Sequence, residues 1–221
     1  MCLVYMGTWA IIPVKHLGEA KSSLSGILGP EQRQQLVLSM LADVLNAVKQ
    51  ASSISGTAVV SPDKKVLDFA RLHGATDTVE SGLELNAALK SAIKHVLARG
   101  ATSVLILPGD LPLLKNADIE NLTAMATSQR DVVIAPSKTN GTNALLIRPP
   151  DLINLRFGGE SFPLHVQEAF RVGVKARVYR SPSVATDIDE PADLLSIETL
   201  GVGTRSHGFL FSLRGSAQTR P

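Results

Sequence analysis

Two acidic stretches and one basic loop carry the residues of this chain most able to do chemistry. Residues 105–114 read LILPGDLPLL, an apolar run that ends in a single carboxylate, Asp110, beside Gly109 and between prolines. Residues 185–194 read ATDIDEPADL, and alternation along an extended segment puts Asp187 and Asp189 on one side of it. Residues 13–24 read PVKHLGEAKSSL, with Lys15 and Lys21 on either side of Gly18. Lysine is a compact charge suited to phosphates, and backbone amides in such a loop can add donors to the same anion. Magnesium takes oxygen ligands, keeps several waters, and is usually held by one or two carboxylates plus substrate phosphates. Asp110 with Asp187 and Asp189 meets that need if the fold joins the two loops. Plainer roles stand beside these: solvated lysines, a turn at Gly109-Asp110, and for Asp189 a cap or first-turn acid of a following helix.

The elements that must position these residues follow from periodicity. Short β-branched runs at 10–14, 57–61, 76–80, 103–108, 131–136, 143–148 and 175–180 read as strands, and the amphipathic segments between them as helices. Helices are expected from Glu31 to Gln50, from Pro62 to near His73, from Leu83 to Arg99, from Asn116 or Asp118, from Pro163 toward Val172, and from Glu190-Pro191. This alternation is that of an α/β fold with a mainly parallel central sheet flanked by helices. In such sheets ligands bind beyond the carboxyl ends of the strands. The run SVLILP is too continuously apolar for a half-exposed strand, so Asp110 emerges at the carboxyl end of a central one. A carboxylate there must face water, a lysine or a metal ion, because burying it unpaired is costly.

Two further stretches carry local signals. FGGESFP (157–163) precedes a predicted helix, whose first amides can bind a phosphate or carboxylate, with Ser161 as an ordinary cap the plainer role. In TNGTN (139–143), Asn140-Gly141 fits a type I′ hairpin turn.

The chain divides into a domain over 1–200 and a tail over 201–221, where Gly, Ser and Arg surround one apolar knot, Phe209-Leu210-Phe211. The knot docks on the body or on a second subunit, as in a homodimer, or the terminus is loosely ordered. A net charge of +2 implies no nucleic-acid partner. Cys2 is the only cysteine, which excludes an internal disulfide and a cysteine zinc site and favours a reducing, cytoplasmic setting. No segment has the roughly 18 apolar residues of a membrane span, and MCLVYMGTWAIIPV lacks the basic leader of a signal peptide. No G-x-x-x-x-G-K-[ST] loop or G-x-S-x-G elbow occurs, and Gly201-Val202-Gly203 lacks the third glycine of a dinucleotide fingerprint.

Taken together, IIPVK…AKSSL, LPGDLPLL, ATDIDEPADL, GLELNAAL (82–89), Gly141-Thr142-Asn143 and FGGESF resemble one family. It is the 2-phospho-L-lactate guanylyltransferases, of the nucleotide-diphospho-sugar transferase (GT-A-like) fold, and the resemblance spans residues 8–200. It implies that Lys15 and Lys21 contact the phosphates of GTP and that Asp110 and Asp187, helped by Asp189, bind Mg2+. It also implies that Gly82, Leu85 and Asn86 lie near the guanine, and that Thr142, Gly159 and Ser161 hold a small phosphorylated carboxylic acid. Relatives commonly read K-S-R-L where this chain has Lys21-Ser22-Ser23-Leu24, so the resemblance does not carry over one phosphate contact. The implied reaction joins 2-phospho-L-lactate to GTP with release of pyrophosphate, giving lactyl-2-diphospho-5′-guanosine for coenzyme F-420. A phosphate monoester is mostly dianionic at neutral pH, so the acceptor needs no general base. Alternatives are a nucleotidyltransferase acting on phosphoenolpyruvate, 3-phosphoglycerate or a molybdenum-cofactor phosphate, or a non-catalytic nucleotide-binding protein of the same fold.

Overall fold

The computed structural model describes residues 7–80 and 84–218. Its strands are β1 (Gly7–Pro13), β2 (Ile54–Ser61), β3 (Asp77–Glu80), β4 (Ala101–Ile106), β5 (Asp131–Pro136), β6 (Thr142–Arg148) and β7 (Arg177–Val178). They form one sheet in the order β3-β2-β1-β4-β6-β5-β7. β1 runs parallel to β2 and β4, β2 to β3, and β5 to β7. Only β6 is antiparallel to its neighbours, β4 and β5. A short connection suffices between β5 and β6 because they are antiparallel, whereas each parallel pair needs a crossover.

The crossovers and flanks are α1 (Pro30–Gln50), α2 (Lys64–Leu72), α3 (Leu85–Leu97), α4 (Asn116–Ala124), α5 (Ser161–Arg171), α6 (Pro182–Ala185), α7 (Leu194–Leu200) and α8 (Arg205–Gln218). They cover both faces of the sheet. Along β4, Leu105 and its successor Leu107 pack with α1 residues such as Met40 and Leu41. Val104 and Ile106 turn the other way, against Leu89 and Ile93 of α3. Alternation thus sends an unbroken apolar run into two cores at once, each side chain contributing roughly 1.5–3 kcal/mol of burial.

The end of β4 positions Asp110. Leu107 N still donates to Ile11 O at 3.0 Å, but Pro108 has no N–H with which to continue the ladder. Gly109 then passes close to the β1 loop, where a Cβ would lie 2.9 Å from Val14 Cγ2. A side chain at that position would push the two loops apart.

Several local expectations are corrected. The second helix starts at Lys64, because Asp63 caps it by accepting from Lys65 N at 2.9 Å. The 175–180 strand shrinks to an edge pair at Arg177–Val178. At TNGTN, Asn140 has a positive φ of 63° but Gly141 does not, so no type I′ turn forms. Ser137 N bonds Gly141 O instead, closing a loop of Lys138, Thr139 and Asn140.

The 201–221 segment, set apart as a tail, folds back as α8 over its described part. Asp43 of α1 accepts from Arg205 N (2.7 Å), Ser206 N (2.9 Å) and Ser206 Oγ (2.6 Å), which satisfies the open amides at the start of α8. Leu210 is buried in the core and Phe209 packs against it, while Phe211 is exposed. Two of the three knot residues, Phe209 and Leu210, thus pack on the chain's own body.

Candidate active site

Lys21 lies at the end of the loop that follows β1, in the left-handed conformation (φ 54°), a backbone state costly for a residue with a side chain. That turn sends its side chain inward. Nζ donates to Asp110 Oδ2 at 2.6 Å and to Asp189 Oδ1 at 2.9 Å, and the side chain is only 8% exposed. Burial alone pulls the lysine pKa down, but the two carboxylates more than reverse this and hold the ammonium above its ordinary range.

The two acidic loops are stitched together. Ile188 N donates to Asp110 O at 3.2 Å, and Ser23 Oγ donates to Asp189 O. Asp187 is held by Asn143 Nδ2, which reaches its Oδ1 at 3.3 Å and Val184 O at 2.9 Å. Burial raises the Asp187 pKa; its own amide and Asn143 oppose this, while the charges of Asp110 and Asp189 push it further up. Asn143 therefore fixes an acid that would otherwise be repelled by its neighbours. It was not among the expected site residues, although a lone polar side chain at the head of an apolar strand was its signal.

Asp189 does not cap the following helix. Asp193 Oδ2 does so, accepting from Asp189 N at 3.0 Å and Glu190 N at 2.8 Å, which leaves the Asp189 carboxylate for Lys21.

The donor set suits magnesium. Asp110 Oδ1 is buried without a hydrogen-bond partner, an acceptor that needs a cation or a donor. Asp187, already bonded by Asn143, feels the repulsion of the Asp110 charge. Among the described residues no group of three or more His, Cys, Asp or Glu side chains is arranged to hold an ion. Asp110 and Asp189 both turn to Lys21, while Asp187 is held by Asn143. One or two carboxylates suffice for magnesium when substrate phosphates complete its shell.

Beside this cluster opens a cleft of about 730 Å³, lined among others by Lys15, Lys21, Ser61, Leu85, Asp110 and Phe157. Lys15 is exposed on its wall. Leu85 lies at the start of α3, and Gly82, expected near it, falls outside the described residues. Asn86 is otherwise engaged: its Nδ2 donates to Phe157 O and its Oδ1 accepts from Phe157 N, both at 2.9 Å. It anchors the segment that carries Phe157 to the cleft.

Thr142, Gly159 and Ser161 form a second group, which does not line that cleft. Ser161 Oγ donates to Thr142 Oγ1 at 3.1 Å, so Ser161 opens α5 without capping it. Gly159 O accepts from Ser161 N at 3.0 Å, and Phe162 N ties α5 to Asn140 O. His165, which sequence reasoning passed over, sits beneath with Nδ1 2.9 Å from Thr142 Oγ1.

Residues 8–220 match the protein family described as Guanylyl transferase CofC like. The chain belongs to this family. A guanylyltransferase relative from Rubrobacter xylanophilus, named phosphoenolpyruvate guanylyltransferase, is 44% identical over 197 residues, covering 89% of this chain and 96% of its own. One from Methanothermobacter thermautotrophicus, named 2-phospho-L-lactate guanylyltransferase, is 40% identical over 210 residues, covering 95% and 92%. The fold recurs in a Desulfovibrio desulfuricans protein provisionally named a nucleotide-diphospho-sugar transferase, with a TM-score of 0.77 at 16% identity over 95% of this chain and 96% of that one. A nucleotidyl transferase from Methanothermobacter superposes with a TM-score of 0.66 at 19% identity over 93% and 99%. The guanylyltransferase family membership makes the chain an enzyme, a nucleotidyltransferase with the expected α/β sheet.

Proposed function

We propose that the enzyme joins 2-phospho-L-lactate to GTP. A phosphate oxygen of the acceptor attacks the α-phosphorus, the bond to the β-phosphate breaks, and pyrophosphate leaves with its electron pair. The product is lactyl-2-diphospho-5′-guanosine, a precursor of coenzyme F-420. The observation that carries this reading is the Lys21–Asp110–Asp189 cluster at the carboxyl end of β1 and β4, open to a cleft large enough for a nucleotide.

In this reading Asp110 and Asp187 would hold Mg2+, which would supply positive charge to the triphosphate. Lys15 and Lys21 neutralise charge building on the leaving pyrophosphate, an electrostatic task with no proton to move. Leu85 packs against the base. Thr142, Gly159 and Ser161 hold the acceptor's phosphate or carboxylate, aided by the amides that begin α5. No general base is required, which accords with the lack of a histidine bonded to either acidic loop among the described residues. A cytoplasmic setting accords with the single cysteine, and among the described residues no helix is long and apolar enough to cross a membrane.

Phosphoenolpyruvate is the second reading, favoured by the 44% identical relative that carries its name. Both acceptors are three-carbon acids phosphorylated at C2, and they differ in whether that carbon is tetrahedral or planar. Pyrophosphate release should be followed with GTP, Mg2+ and each acid in turn, with 3-phosphoglycerate as a third. Turnover of 2-phospho-L-lactate above the others is the expected result; preference for phosphoenolpyruvate selects the second reading, and turnover of none of them overturns both.

A further inference from the structure

His165 on α5 is completely buried. Its bonds define its protonation. Nε2 lies 3.0 Å from Arg156 N, which can only donate, so Nε2 is an acceptor. A neutral imidazole in that state carries its proton on Nδ1, and Nδ1 faces Thr142 Oγ1 at 2.9 Å. Burial, with Glu168 opposing and Arg156 assisting, holds its pKa down to about 4, so the ring stays neutral at physiological pH. The ring also meets Phe157 edge-on at 4.8 Å between centroids, and Phe157 lines the cleft.

Thr142 receives a second donor from Ser161 Oγ at 3.1 Å. A hydroxyl oxygen has two lone pairs, and both are now filled. The Thr142 proton is the one function left to it, and no hydrogen bond among the described residues takes that proton.

We propose that His165 is a positioning residue for the acceptor: its Nδ1–H, together with the Ser161 hydroxyl, turns Thr142 into an obligatory donor aimed at an anionic oxygen of the bound acid. This rests on the reading that Thr142 and Ser161 contact the acceptor. The device works because a hydroxyl is otherwise free to rotate and to accept as well as donate. With both lone pairs occupied it presents a proton before the ligand arrives, and a donor already oriented costs no reorganisation when charge is bound.

The test uses steady-state kinetics of the full chain with GTP, Mg2+ and the preferred acid, with thermal unfolding to establish folding. His165→Phe keeps a ring against Phe157 and removes the donor. It should raise the KM of the acid about tenfold while leaving the KM of GTP within about twofold. His165→Asn, whose side-chain amide donates from the Nδ1 position, should recover most of the loss, whereas His165→Gln, which places its amide at the Nε2 position, should not. In a Thr142→Val background His165→Phe should add no more than about twofold, because the histidine acts through that hydroxyl.

A folded His165→Phe variant with unchanged acid KM, or multiplying effects in the double variant, overturns the proposal while leaving the acceptor reading intact. Should His165→Phe not fold, the Asn and Gln variants decide, and equal values for the two overturn it. A Thr142→Val enzyme with normal acid KM overturns the acceptor reading itself, and the role of His165 with it.

Discussion

Lys21 Nζ lies 2.6 Å from Asp110 Oδ2, joining the loop after β1 to the end of β4 across 89 positions of sequence. The contact puts a cation against the one carboxylate that the central strand delivers to the cleft. Asp189, from 168 positions beyond Lys21, completes the cluster. Lys21 thus supplies part of the positive charge that three neighbouring acids require. It also lies on the wall of the cleft.

Replacing Lys21 with Met should lower turnover by at least about 100-fold, the scale of removing one electrostatic stabiliser from a transition state. The exposed partner Asp189 is screened, but Asp110 loses its closest counter-charge, so a fall in thermal stability should accompany the loss of rate. Rate and thermal midpoint measured on the same preparation separate the two effects. A near-normal rate takes Lys21 out of the phosphate site.

Asp110→Asn should abolish turnover with the fold intact. The same variant provides a readout without activity: Mg2+ should raise the thermal midpoint of the parent protein, by an amount equivalent to about 2.7 kcal/mol at 100 times its Kd. Asn at 110 should remove that shift, and so should Asp187→Asn, whereas Asp189→Asn should weaken it less. A shift unchanged in Asp110→Asn moves the ion elsewhere.

Asp43→Ala should loosen α8. Removing the carboxylate leaves the Arg205 and Ser206 amides without their acceptor, at a cost of about 1–3 kcal/mol. Limited proteolysis should then cut between α7 and α8 faster than in the parent, while turnover, whose residues lie elsewhere, is retained. Equal digestion rates in the two proteins count against the docking of α8 as a source of stability.

The buried His165 makes stability depend on pH. Its folded pKa of about 4 lies below the ordinary 6.5, so the unfolded chain binds the proton more readily. Stability is full above pH 6.5 and is lost progressively as pH falls toward 4, where the folded ring finally protonates as well. Urea midpoints across this range should fall with acid, and His165→Asn, which does not titrate, should flatten that part of the slope. An unchanged slope assigns the acid sensitivity to other groups.

Much of the architecture was legible because strands and helices are chosen locally. The short apolar runs of β2 and β6, the amphipathic stripe of α1 and the unbroken run of β4 depend only on near neighbours. Boundaries slipped where a side chain from the next turn intervened, as when Asp63 took the cap of α2. The turn at Asn140-Gly141 went differently because Ser137 captured Gly141 with both its amide and its hydroxyl.

By itself, the sequence determined that Asp110 would emerge at the end of a buried central strand, that two lysines would sit in the loop after the first strand, and that two more acids would lie on an extended segment before a helix. Hydropathy and spacing suffice for that, since burial of a continuous apolar run admits one outcome. Only the tertiary structure decided who meets whom. Which strand lies beside which depends on crossovers dozens of residues long, and no local pattern encodes the result. The fold therefore set both Asp110 and Asp189 on Lys21, and it gave Asn143 the work of holding Asp187. It also made His165, one unremarked histidine on a helix, the partner of Thr142, because a buried imidazole takes its role from the groups that close around it.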